Sequence, residues 1–228
     1  MNDKEPTLLH RNGSRSIVVA TFLALDRASA AAAATPDTPP MRLSPLPLAL
    51  AVAMVASAAA AQLQNENLLV TMPDRFKADF QQKNKDMLIS EMVPGAESVN
   101  DWTQMVTVQI FFGLKSGPEE FKGRVETGWM RACRGGTAHA IAQGKENGYP
   151  FAVWLLACPL NKTTGKPEFT WFKAMQGNDS LYVVQVALKA RPTEEATTRW
   201  MDYLRTVRVC DTRLPDRACP ADIVKPQR

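Results

Sequence analysis

Histidine is the scarcest functional residue in this chain: only His10 and His139 occur among 228 residues. His10 falls in an N-terminal stretch that does not read as domain, which leaves His139 alone. That excludes histidine-rich metal sites, and no cofactor is implied. The sequence also lacks a Gly-x-Ser-x-Gly elbow, a Walker loop and a Gly-x-Gly-x-x-Gly turn. Gly113-Leu114-Lys115-Ser116 has the ending of a phosphate loop without its first glycine. No internal repeat is present. Charge of one sign is not clustered either, and the net charge is only +4. A nucleic-acid binder would show grouped basic residues with interleaved aromatics, so nucleic acid is not an expected partner. Arg199, Arg205, Arg208, Arg213 and Arg217 read as a solvated face and tail.

What is present begins at Met41. Arg42 supplies a positive charge, Leu43 to Val55 form an apolar stretch, and Ser57 to Ala61 are small. This is the charged, apolar and small-residue series of a secretory signal, with cleavage before Gln62 or one residue earlier. Residues 41–61 are therefore expected to be a signal peptide. Residues 1–40 then read as a mis-assigned start or a disordered leader. No cysteine follows the apolar stretch, so no acylation site is expected, and no stable membrane span should remain after signal cleavage. The expected localisation is periplasmic or secreted.

All four cysteines, Cys133, Cys158, Cys210 and Cys219, lie beyond the cleavage point. An even count in an exported domain implies two disulfides, with three possible connectivities.

Short strands are expected at 68–72, 76–81, 87–93 and 105–112, from alternation bounded by turn residues. Ser116-Gly117-Pro118-Glu119 reads as a capping box opening a helix with an apolar stripe of Phe121, Val125, Trp129 and Ala132; Gly135-Gly136 ends it. Two hairpins follow, covering 137–158 and 169–188, and then a helix over 193–207 carrying Trp200 and Leu204. The expected fold is α+β: an antiparallel sheet of about six to eight strands under two main helices, over residues 62–210. Folding the first hairpin brings Cys158 near Gly135, beside Cys133. Cys210 and Cys219 bracket a short loop in the tail, 211–228. The layout thus predicts Cys133–Cys158 and Cys210–Cys219.

One segment is not demanded by folding: Glu97-Ser98-Val99-Asn100-Asp101-Trp102-Thr103. A tryptophan in a polar loop either folds back onto the core or anchors a partner. Trp102, Asn100, Asp101, Thr103 and Glu97 are the candidate partner-binding residues. No catalytic residue is assigned. Glu91 and Glu97, flanking Pro94-Gly95, are the alternative: a carboxylate-based site of an envelope enzyme. A purely structural domain is a third reading, and His139 reads as a surface or structural histidine opposite Trp154.

Met72-Pro73 before a Phe76-containing strand, the 97–103 loop running into 105–112, a helix, two hairpins and a last helix with Trp200 together resemble PsbP-like domains. The closer likeness is to proteobacterial periplasmic proteins distantly related to DcrB. The resemblance covers most of 66–208. It implies a PsbP-like fold and a non-enzymatic role, since the family includes photosystem accessory subunits, envelope proteins and a nuclear-import factor that binds a small GTPase. DcrB-type proteins are often lipoproteins, and this chain lacks the acylation cysteine. The expected function is a non-catalytic binding or accessory protein whose partner is an envelope protein or a small ligand.

Overall fold

A computed structural model of the chain describes residues 63–221 and the backbone of a three-residue strand, β1 (Ile17–Val19). Most of the expected leader, the expected signal peptide and residues 222–228 lie outside the described residues.

β3 (Phe76–Lys83), β4 (Met87–Pro94), β5 (Gln104–Phe112), β6 (Thr137–Glu146), β7 (Tyr149–Asn161), β8 (Lys166–Gln176) and β9 (Ser180–Leu188) form one antiparallel sheet. Its strand order is β3-β4-β5-β9-β8-β7-β6. The fold is α+β, as the strand count and the two helical periodicities predict. The two helices are α1 (Pro118–Ala132) and α2 (Glu194–Thr206).

β2 (Glu66–Thr71) corrects one expectation. It does not extend the large sheet but pairs antiparallel with β10 (Arg208–Asp211) and with β1 in a separate three-stranded sheet. β10 is four residues long and emerges directly from α2, so it carries too little alternation to be seen in advance.

The pleat divides the sheet's side chains between two cores. On one face Val106, Val108, Ile110, Tyr182, Val184, Val186, Trp171 and Met175 pack with Trp200, Leu204, Val207 and Val209. On the other face Ala152, Trp154, Leu156, Phe172, Ala174, Leu181 and Val183 meet the half-buried Phe121, Val125 and Trp129 of α1. Trp154 and Phe172 stack there with ring centroids 4.9 Å apart.

α2 begins with a side-chain cap, the Thr193 hydroxyl accepting from the Ala196 amide at 3.1 Å. α1 does not. The expected capping box is absent because the first helical residue is Pro118, which makes Gly117 the N-cap and leaves Ser116 one position too early. Ser116 is instead buried and accepts from the Arg124 guanidinium at 2.5 Å, while Glu119 pairs with Lys122 at 3.4 Å.

Both disulfides form as the layout predicts: Cys133–Cys158 with Cα atoms 5.7 Å apart and Cys210–Cys219 at 4.8 Å. The β6–β7 hairpin closes on only two residues, Asn147 and Gly148, both at positive φ (48° and 76°). Ile141 is an extra residue in β6, between the pairs Ala140↔Trp154 and Ala142↔Val153. Tight turn and bulge together set His139 opposite Leu155, one residue from the expected Trp154.

Candidate functional site

The 97–103 loop is a closed clasp. Ser98 and Asp101 exchange backbone hydrogen bonds of 3.2 and 3.0 Å. The Glu97 carboxylate accepts from the Thr103 amide and the Thr103 hydroxyl, each at 2.7 Å. Asp79 on β3 accepts from the Val99 amide at 2.8 Å. That backbone donor first, and the Lys77 ammonium 3.1 Å away next, hold the Asp79 carboxyl below its usual range. The Lys189 amide donates to the Thr103 carbonyl at 3.0 Å, so the segment after β9 ties down the loop's far end.

Trp102 is held between the two fates expected for it. It is half-buried, and the Lys189 ammonium sits over its ring, 4.0 Å from the centroid. Asn100, Asp101 and Thr103 are exposed, while Glu97 is half-buried in the closure. The loop therefore presents polar groups around one partly accessible indole. Glu91 is separate from this closure: it lies within β4, where it pairs across strands with Phe80 and Thr107. Burial pushes its carboxyl above the ordinary value. Glu97 is committed to Thr103, so the two glutamates have different structural tasks.

The same end of the sheet carries residues that the sequence did not single out. Register partners run in an unbroken row, Gln104↔Leu188↔Phe169↔Ala157↔Thr137, from the Trp102 loop across to β6. Beyond Phe169 this row opens into a cleft of about 470 Å³. Its floor is Leu155, Ala157, Phe169 and Trp171, all on the α2 face of the sheet. Its walls include His139 and Thr137 from β6, Arg191 from the segment before α2, and Thr197 from α2. The Arg191 guanidinium lies 6.0 Å from the Phe169 ring centroid, and His139 is exposed with a ring nitrogen 3.2 Å from the Thr137 hydroxyl. α2 reaches this cleft with Thr197, while its Ala196 and Trp200 pack into the core, and Leu155 and Ala157 are left half-buried. Lys-Ala-Arg-Pro at 189–192, just ahead of the Thr193 cap, was the available signal: two cations placed where a strand hands over to a helix.

Two other polar clusters serve the fold. The buried Glu66 carboxylate accepts from the amides of Asn178 (2.5 Å) and Asp179 (2.9 Å) and from the Tyr182 hydroxyl (2.9 Å). Gly177 is required beside it, since a Cβ there would collide with that carboxylate. Burial first and the Glu66 charge second push Tyr149 up to about 12. Arg213 forks onto the fully buried Asp211 and reaches Asp179 at 2.7 Å, tying the tail to the β8–β9 turn. Asn147 adds side-chain donors to the carbonyls of Val209 (2.9 Å) and Arg217 (3.1 Å). The second cluster centres on Lys173, a buried ammonium that donates to Glu146 (2.5 Å) and to the carbonyls of Leu204 (3.1 Å) and Val207 (2.6 Å). It thereby caps the last turn of α2 from within the core.

Among the described residues no group of His, Cys, Asp and Glu is placed to hold a metal ion, and no helix is long and apolar enough to cross a membrane. No family model and no curated protein sequence matches the chain. Among solved structures it is similar to a point mutant of the protein Mog1, at TM-score 0.37 and 10% identity, covering 60% of this chain and 78% of that one. The Ran-binding protein Mog1p of Saccharomyces cerevisiae is similar at the same TM-score and identity, covering 63% of this chain and 85% of its own. Ran binding is a property of that protein.

Proposed function

We propose that this is an exported, non-catalytic binding or accessory protein that engages an envelope protein or a small ligand at the Trp102 end of its sheet. The observation that carries this reading is the Trp102–Lys189 pair. An indole held half-exposed under a cation, on a loop braced by Glu97, Asp79 and Lys189, is a preorganised contact residue. A core-filling tryptophan in this fold looks different: Trp154 and Trp171 are 0% and 1% exposed. Export is supported by the signal-like segment at 41–61 and by two disulfides, which persist in oxidising compartments. The resemblance to PsbP-like and DcrB-related proteins belongs to the same reading.

The test is co-purification of the tagged protein from its native periplasm, with mass spectrometry of what it retains. Trp102→Ala should lose the specific partner while its melting temperature stays within a few degrees. Identical capture by the wild type and the variant would overturn the assignment of this end as the binding surface. Recovery of the protein from the cytosol with free thiols would overturn export.

A further inference from the structure

The cleft beside Arg191 has a composition that specifies its ligand more closely than the loop does. Its lining contains one guanidinium (Arg191), one imidazole (His139), two hydroxyls (Thr137 and Thr197) and no carboxylate. The remainder is apolar or glycine. The volume, about 470 Å³, is that of a small-molecule site rather than of a water pocket.

We infer that this cleft binds a small organic carboxylate whose apolar body lies on Leu155, Ala157 and Phe169 and whose anionic head meets Arg191. This rests on the reading of the domain as a binding protein and names the chemistry of one ligand. The physical reasons are three. First, Leu155, Ala157 and Phe169 are half-buried side chains on the sheet face that packs against α2, so an apolar body would complete their burial. Second, Phe169 lies beneath Arg191, so the guanidinium is positioned by a ring and its planar fork suits a two-oxygen head group. Third, the cleft lining offers no competing anion. The carboxylates nearest in sequence, Glu194 and Glu195, belong to the exposed first turn of α2 and are not part of the lining. Thr137, Thr197 and His139 supply further hydrogen-bonding groups around the head.

Isothermal titration of the purified protein with octanoate and with 1-octanol tests this directly, since the two share a body and differ in the head. Octanoate should bind at one site with sub-millimolar affinity and at least about tenfold more tightly than octanol. Arg191→Gln, an exposed position whose replacement leaves the core intact, should remove that difference by weakening octanoate about tenfold and leaving octanol unchanged. Ala157→Trp, which fills the floor, should weaken both. Absence of octanoate binding, equal affinity for the two probes, or an unaltered octanoate affinity in Arg191→Gln would each overturn the inference. Trp102→Ala separates it from the broader reading: it should retain octanoate binding even if partner capture proves independent of Trp102.

Discussion

The two faces of the large sheet are covered by helices of similar length in very different ways. α2 sinks Trp200 (3% exposed) and Leu204 (1%) into a core that spans five strands of the sheet and both β2 and β10. α1 contributes no fully buried side chain except Pro118, and its Phe121, Val125 and Trp129 remain half-buried over β7 and β8. α2 is also capped at both ends by the protein, with Thr193 at its start and the buried Lys173 at its finish. α1 relies on surface ion pairs, on Arg124–Ser116 and on the Cys133–Cys158 link at its end. The difference teaches where stability resides: one helix is held by burial and the other is tethered.

The sharpest way to break this contrast is to remove apolar bulk from each helix. Leu204→Ala should lose about 2–5 kcal/mol in urea unfolding, as for a large-to-small change in a closed core. Val125→Ala, on the half-buried stripe of α1, should lose about 1 kcal/mol or less; equal losses would end the distinction. The tether is tested next. Removing Cys133–Cys158 by double alanine substitution should lose about 2–4 kcal/mol and speed hydrogen exchange in α1 and β6 before α2. The same change at Cys210–Cys219 should lose about 1 kcal/mol less by loop-closure entropy, because that link spans 9 residues rather than 25. Uniform exchange across both helices would mean that the disulfide does not hold α1.

A smaller effect should follow from Lys173→Met, which leaves Glu146 and the Leu204 and Val207 carbonyls without their shared donor. About 1–3 kcal/mol should be lost, with exchange faster in the last turn of α2. Acid sharpens the picture on the same side of the molecule. Arg213 holds the Asp211 carboxyl below its unfolded value of 3.8. A depressed carboxyl adds stability above its unfolded pKa and loses it as pH falls through the lowered folded value. Stability should therefore drop below about pH 4, first seen as release of the tail, and Asp211→Asn should flatten that dependence in urea unfolding between pH 6 and 2. Trp102→Ala should produce the smallest change in stability, since its ring is half-exposed and lies under the Lys189 ammonium.

Much of this contrast was legible in local sequence and part of it was not. The α2 stripe repeats within a few turns, so Trp200 and Leu204 could be named from spacing alone. The failure at Ser116 is instructive, because a capping box is defined by a helix start, and Pro118 moved that start by one residue. The Trp102 loop stood out since an indole among polar neighbours violates the local pattern. The cleft did not, because Leu155, Phe169, Arg191 and His139 come from four separate segments, each ordinary by itself.

Periodicity, turn residues and the even number of cysteines were enough to determine an α+β chain of antiparallel strands, two helices and two crosslinks, because those signals are local and repeat within a few residues. Tertiary structure alone decided that β2 leaves the main sheet for β10, that Lys173 is buried beneath the end of α2, and that one end of the sheet gathers an indole, a guanidinium and an open apolar floor. Such juxtapositions depend on which distant strands share a register row, and no segment carries that information on its own.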